Sequence, residues 1–179
     1  MLLILLGIMV FFIIYHYNTL VKLSNRIENS WAQIDVQLER RHDLIPNLVE
    51  TTKGYMKHER ETLESVIEAR SKAMQARGVQ EKAEAESLLD DAMSKFFLVV
   101  EKYPQLQANE NFLNLQEEIT STENRIAFAR QSYNDQVMFF NNKVEVFPSN
   151  VIADKFGFRK RDYFEIEDEE KREVPEVKF

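Results

Sequence analysis

The segment from residue 112 to residue 147 constrains the fold more than any other part of the sequence. Apolar or small side chains recur there at intervals of three and four residues. The positions are Phe112, Leu115, Ile119, Thr122, Ile126, Ala129, Tyr133, Val137, Phe140, Val144 and Phe147. This spacing lays one side of a long helix against a neighbouring helix, as in coiled coils. With only four Gly and four Pro in the chain, and no useful stretch of period two, the sequence predicts an all-α fold.

The first fourteen residues, MLLILLGIMVFFII, contain no polar side chain. As a helix they reach about 21 Å, and about 25 Å if counted through Tyr17, against a hydrocarbon core of about 30 Å. Tyr15 and Tyr17 suit the membrane interface, where aromatic rings concentrate. A cleaved signal peptide is the main alternative, but no basic residue precedes Leu2 and no small-residue cleavage site follows. A buried core helix would have to hide a segment that is apolar on every side. We therefore predict a transmembrane anchor over residues 1–17.

Charges beside the anchor predict its orientation. The nearest bases that follow it are Lys22 and Arg26, and Arg40 and Arg41 lie further on. No base precedes the apolar run. Since short cytoplasmic flanks carry the excess of Lys and Arg, we expect a single-pass protein of the bacterial inner membrane. The N-terminus would lie outside and the helical domain in the cytoplasm.

The first helix is expected to continue from the anchor to about Arg41. A tight turn over His42–Pro46 is then favoured, because proline costs about 3 kcal/mol in a helix interior. The alternative is one long kinked helix, since the 3-4 spacing persists across Pro46 to Leu48. We expect the second helix over Pro46–Arg77 and the third over Gln80–Tyr103.

Asn109 or Asn111 is suited to cap the fourth helix, which Phe147-Pro148 would stop. Four helices with short links predict an up-down-up-down four-helix bundle over residues 18–164. An acidic tail over residues 165–179 follows.

Two apolar segments leave alternatives open. The run from Phe96 to Val100 is apolar on all sides, which fits either deep burial or a subunit interface. In the second segment two aromatic rings stand beside three bases, at the bundle end that returns to the membrane. That segment can dock on anionic headgroups or cap the open end of the bundle. Its residues are Phe156, Phe158, Arg159, Lys160 and Arg161.

Motifs for chemistry are sparse. The chain has no Cys and three His, and Glu39 with His42 supplies one Glu-x-x-His pair where a di-metal bundle needs two. We predict no catalytic, cofactor-binding or metal-binding residue. The polar strings Arg40–Asp43 and Glu123–Arg125 are the most distinctive positions, with helix capping and ion pairing as the structural interpretation. A net charge of −7 argues against nucleic-acid binding.

Two long strings carry a family resemblance: DVQLERRHDLIPNLVE at residues 35–50 and TENRIAFAR at residues 122–130. Together with the Phe147-Pro148 and Phe156-Gly157-Phe158 motifs, they make residues 15–165 resemble the LemA family of bacterial membrane proteins. Ser24 stands where a basic residue is common, and the acidic tail lies outside the pattern. The resemblance implies one N-terminal span, a four-helix bundle and no enzyme activity. It also implies kinship with a protein of magnetosome membranes.

The expected function is therefore a non-enzymatic, membrane-anchored helical scaffold. It would contact the lipid bilayer, associate with further copies of itself and organise membrane or partner proteins. The alternative is a regulatory adaptor for a membrane sensor kinase or protease, with an unidentified membrane protein as its partner. A metalloenzyme is the third possibility, and it would require bound metal.

Overall fold

The computed structural model describes residues 1–165, so the predicted acidic tail lies outside the described residues except for Glu165. The helices are α1 (Leu2–Lys53), α2 (Arg60–Gln75), α3 (Val79–Val100), α4 (Pro104–Gln107), α5 (Glu110–Glu145) and α6 (Ser149–Lys155). No strand occurs within residues 1–165. The prediction of an all-helical protein is confirmed.

Helix α1 is 52 residues long, which corresponds to about 78 Å. Its residues up to Phe11 are exposed, and burial against other helices becomes regular only from Leu20 onward. Among the described residues this helix alone is long and apolar enough to cross a membrane. The predicted anchor and the first helix of the domain are thus one continuous element.

Helices α1 and α5 form a long antiparallel pair. The ring of Trp31 lies 5.5 Å from the ring of Tyr133, and Arg40 lies 3.9 Å from Glu118. Higher numbers on α1 therefore face lower numbers on α5. As a result, the end of α5 returns to the level at which the apolar segment of α1 leaves the domain.

Helices α2 and α3 form a hairpin that packs beside this pair. Asp35 on α1 pairs with Lys82 on α3 at 2.5 Å, and Arg41 pairs with Asp90 at 2.5 Å. The numbers rise together, so α3 runs parallel to α1. Since residues 76–78 connect α2 to α3 in a short turn, α2 runs the opposite way.

The predicted turn over His42–Pro46 is wrong: α1 continues through Pro46 to Lys53. Proline lacks the N–H that would bond the carbonyl oxygen four residues earlier, which belongs to His42. In this fold Arg70 of α2 donates its Nε hydrogen to that oxygen at 2.6 Å. A buried carbonyl that would otherwise lack its partner is satisfied from a second helix, which removes part of the cost of Pro46.

Other helix boundaries also differ from the predicted ones. The second helix does not begin at Pro46, because turns over residues 54–59 separate α1 from α2. The third helix ends at Val100, and the short α4 follows Tyr103. The cap at Asn109 is confirmed, since its side chain accepts a hydrogen bond from the backbone N–H of Phe112 at 3.0 Å.

The core consists of two apolar clusters placed one after the other along the helices. The cluster near the anchor includes Leu20, Leu38, Ala83, Ile126, Val137 and Phe140. The distant cluster includes Ile45, Leu48, Leu89, Phe96, Phe112 and Ile119. On α1 residues 39–43 separate the two clusters, and on α5 residues 120–125 do so; both segments contain charged side chains. On α3 the two clusters meet directly, at Ala83 and Ala85.

The chain reverses sharply after α6. Gly157 has a φ of +76°. The N–H of Phe158 donates to the carbonyl oxygen of Ala153 at 2.9 Å, and the N–H of Gly157 donates to the carbonyl oxygen of Asp154 at 3.2 Å. These are the two bonds of a Schellman motif, which favours glycine at the left-handed position. Residues 158–165 then run back along the α1–α5 pair, and we call them the return segment.

Two asparagines of α5 hold the return segment through its backbone. Asn141 exchanges two hydrogen bonds of 2.9 Å with the N–H and carbonyl of Arg161. One heptad earlier, Asn134 accepts from the N–H of Phe164 at 2.8 Å. The Phe164 side chain is buried against Trp31, with ring centroids 5.8 Å apart. The return segment is therefore an integral part of the fold.

Two apolar side chains from segments that we expected to pack against other helices are exposed to solvent. Within the run from Phe96 to Val100, both ends are buried but Leu98 is exposed, so burial accounts for only part of that run. Phe147, the last member of the 3-4 series, lies beyond the end of α5 and is exposed.

Candidate functional site

A buried charge cluster lies where the two apolar clusters meet. The side chain of Arg41 is 3% exposed and forms ion pairs with Glu86 and, at 2.5 Å, with Asp90. Both acids belong to α3 and stand four residues apart, so they share one face of that helix. The Glu86 side chain is as deeply buried as Arg41, whereas that of Asp90 is half exposed.

His42 completes the cluster. Its Nε2 lies 2.9 Å from Oε1 of Glu86, without the alignment of a good hydrogen bond. Its carbonyl oxygen accepts the bond from Arg70 described above. One residue pair of α1, Arg41–His42, thus contacts both α2 and α3.

The charges inside the cluster stabilise one another. Burial by itself would raise the pKa of Glu86, but contact with His42 and the charge of Arg41 outweigh it and hold the pKa below its ordinary value. Burial would likewise lower the pKa of Arg41, and the charges of Asp90 and Glu86 raise it instead. Both groups therefore stay charged at neutral pH.

Glu123 of α5 lies beside the cluster. A cleft of about 300 Å³ has Arg41, Asp90, Glu123 and Arg130 among its lining residues. Burial raises the pKa of Glu123; the charge of Arg41 opposes this rise and that of Asp90 adds to it. The two polar strings singled out in the sequence, Arg40–Asp43 and Glu123–Arg125, therefore meet in one region of the fold.

The cluster can do two things. It favours one register of α3 against α1, because a shift by one turn would either carry Glu86 away from Arg41 or bring Lys82 into the buried place of Glu86 beside Arg41. An unpaired acid or a second base is costly at a buried position. The cluster also makes the stability of the domain depend on pH. No group of three or more His, Cys, Asp or Glu within residues 1–165 is arranged to hold a metal ion.

We expect acid to remove the contribution of Glu86. Its pKa is lowered in the folded state, so its stabilisation is complete above the ordinary value of about 4.5 and is lost as pH falls through the lower folded value. The difference in unfolding free energy between the native chain and Glu86→Gln should be constant near neutral pH and shrink below about pH 4.5. Urea titrations of both chains in detergent, at a series of pH values, measure it. A constant difference down to strongly acid pH would contradict the assignment.

Sequence reasoning missed Glu86 and Asp90. Both acids lie in the third helix at the phase of the buried residues Leu89 and Met93, with Glu86 three residues before Leu89. An acid on the inward face of an amphipathic helix was the available signal. It implies a buried cation on a neighbouring helix, and Arg41 is that cation.

The structure brings together the two parts of the chain that we predict to contact the membrane: the interface tyrosines of α1 and the segment over residues 156–161. The ring of Tyr17 lies 4.9 Å from the ring of Phe156 and 5.9 Å from that of Phe158. Phe158 also packs against Phe140 of α5 and is partly buried, while Phe156 remains exposed. Tyr15 is exposed on α1.

The three bases of that region each lie near an acid. Arg159 pairs with Asp154 at 3.1 Å, Lys160 pairs with Glu145, and Arg161 lies 3.9 Å from Glu28. All three pairs are solvent-exposed, so each contributes little to stability. Contact of these bases with lipid headgroups stays a prediction.

Comparison with known proteins identifies relatives of two kinds, a LemA protein and magnetosome proteins. Protein LemA of Metamycoplasma hominis is 28% identical over 151 residues, covering 84% of this chain and 69% of that protein. Magnetosome protein MamQ 2 of Paramagnetospirillum magneticum is 23% identical, with 86% of this chain and 66% of that protein covered. Magnetosome protein MamQ of Magnetospirillum gryphiswaldense is 22% identical, with 85% and 65% covered. This chain spans about two thirds of the length of each relative.

The family comparison also covers most of the chain. The model of the LemA family matches residues 30–179, which include all of the buried charge cluster and the whole return segment. Both distinctive strings of the sequence fall inside this range. The chain therefore belongs to the LemA family.

Proposed function

We propose that this protein is a non-enzymatic scaffold that a single transmembrane helix holds rigidly at the membrane. The observation that carries the proposal is the continuity of α1, which passes without interruption from the exposed apolar segment through the domain to Lys53. Relatives whose names denote magnetosome proteins and no reaction support a structural role in membranes. The buried charge cluster is consistent with it, because its groups pair with one another.

The proposed topology places the domain in the cytoplasm and the N-terminus outside the inner membrane. Lys22 and Arg26 follow the span directly, and the fold brings the bases of the α6 end to the same level. A cluster of bases at one end of a short span favours the cytoplasmic side.

Self-association is the second part of the proposal. An apolar groove of about 630 Å³ lies between α1 and α5, with Val36 and Phe128 exposed along it and Gln33 and Asn124 on its rim. Copies anchored in one bilayer share one orientation, which allows their grooves to face each other across a twofold axis along the membrane normal. Anchoring also raises their effective concentration.

Cysteine cross-linking tests self-association, since the chain has no cysteine of its own. Val36→Cys in membranes treated with a short bis-maleimide should give a covalent dimer. Met74→Cys is the matched control, because Met74 is 54% exposed and Val36 60%, but Met74 lies on α2 away from the groove. Adding Phe128→Glu to Val36→Cys should abolish the dimer, since a charge would have to enter the apolar groove.

Equal cross-linking of the Val36 and Met74 variants would overturn the self-association proposal. The groove also fits the alternative function, an adaptor for a membrane sensor kinase or protease, because an apolar helix of another protein can occupy it. If that alternative is correct, cross-linking of Val36→Cys should give a product that contains a second protein in stoichiometric amount and should give no homodimer.

A further inference from the structure

Four exposed apolar side chains lie on α6 or beside its ends. They are Val146, Phe147, Val151 and Phe156, and we call this region the α5–α6 corner. Phe147 is 76% exposed, an unusual state for a phenylalanine in water, and the other three lie within nine residues of it along the chain. A group of exposed apolar side chains marks a site of contact.

The corner lies at the level of the anchor. Phe156 stacks on Tyr17, the residue that closes the apolar segment. Ile13, inside that segment, packs against the apolar cluster that contains Ile152 of α6. Ile13 and Tyr17 are four residues apart, or about 6 Å along the helix. Helix α6 therefore lies beside the last turn of the apolar segment.

From these observations we infer that the α5–α6 corner inserts into the interface of the bilayer that α1 crosses, as a second membrane contact. The inference rests on the proposed anchoring by α1. Helix α6 has seven residues, too few to bind a membrane by itself, but its contact with α1 holds it at the required depth.

The side chains of the corner are apolar, so their contact with lipid does not depend on charge. Arg159 and Lys160 are paired with Asp154 and Glu145, and Arg161 reaches back to Ser24 and Glu28 on the side away from the membrane. Contact through Phe147 and Val151 requires no anionic headgroup. Zwitterionic vesicles should therefore support it as well as anionic ones.

Spin labels on single cysteines of the full chain in phosphatidylcholine vesicles test the inference. Phe147→Cys and Val151→Cys report on the corner, and Phe11→Cys reports on the anchor. Leu88→Cys is the matched control, because Leu88 is 55% exposed, close to the 57% of Val151, and lies on α3 at the level of Arg41, far from the anchor. The measured quantity is the ratio of collision rates with oxygen, which concentrates in lipid, and with a water-soluble nickel chelate.

We expect the ratio at positions 147 and 151 to fall between the high value at 11 and the low value at 88. Values at 147 and 151 equal to that at 88, with a high value at 11, would overturn the corner contact and leave the anchor intact. A low value at 11 would overturn both. A label at 147 could also be shielded from the nickel chelate by a second copy of the chain. In that case its spectrum would show dipolar broadening, and dilution with unlabelled protein would remove the broadening. That result would show contact between copies and would also overturn the inference.

Discussion

Replacing Arg41 by methionine should lower the unfolding free energy of the domain by about 3–5 kcal/mol. Methionine keeps much of the volume of the side chain and removes the charge. Glu86 would then be left in the core with His42 as its remaining partner, and an uncompensated buried charge is strongly destabilising. Urea unfolding of the full chain in detergent, followed by far-ultraviolet circular dichroism, measures the loss.

The neighbouring arginine supplies the control. Arg40→Met removes the same charge one residue earlier, but the Arg40 side chain is 51% exposed and its nearest acid, Glu118, is 3.9 Å away. Its expected loss is at most about 1 kcal/mol. The double variant Arg41→Met with Glu86→Leu should recover much of the stability, because apolar replacement of a whole buried pair is often neutral. Equal losses for Arg40→Met and Arg41→Met would show that the cluster does not stabilise the fold.

Replacing Phe164 by alanine should cost about 3–5 kcal/mol, the usual range for a buried phenylalanine. Its ring is buried against Trp31, and the guanidinium of Arg130 lies 4.9 Å from the ring centre. The ring also fixes the return segment, so its loss should loosen the backbone bonds made by Asn134 and Asn141.

Trp31 reports this change directly, since it is the single tryptophan of the chain. Its fluorescence should shift to longer wavelength in Phe164→Ala, because water replaces the ring beside it. Tyr163→Ala is the control at the adjacent position, where the side chain is partly exposed, and should leave the emission and the unfolding midpoint nearly unchanged. An unshifted emission in Phe164→Ala would contradict the packing of the return segment.

Local patterns in the sequence predicted the features that depend on neighbouring residues. The 3-4 spacing from Phe112 predicted α5, and the side-chain oxygen of Asn109 predicted its cap. The apolar run predicted the first part of α1. Phe147 fits the same spacing, but Pro148 follows it, and the helix ends two residues earlier at Glu145.

The features that sequence reasoning missed depend on distant residues. Pro46 reads as a helix breaker unless Arg70, 28 residues away from His42, is known to supply the missing donor. Arg41 and His42 likewise appear to belong to an exposed polar string until α3 brings Glu86 to them. Helical periodicity identifies the buried face of each helix, whereas the partner of a buried charge is set by how the helices pack.

In the anchored state that we propose, the unbroken course of α1 couples the tilt of the membrane span to the position of the whole domain. From Tyr17 to Lys53 the helix extends about 54 Å, so a change of about 10° in the tilt of the span would move the far end by about 9 Å. Tilts of transmembrane helices vary over a wider range than this with the thickness of the bilayer. A thinner or thicker membrane would thereby displace the outer end of the domain, far from any lipid.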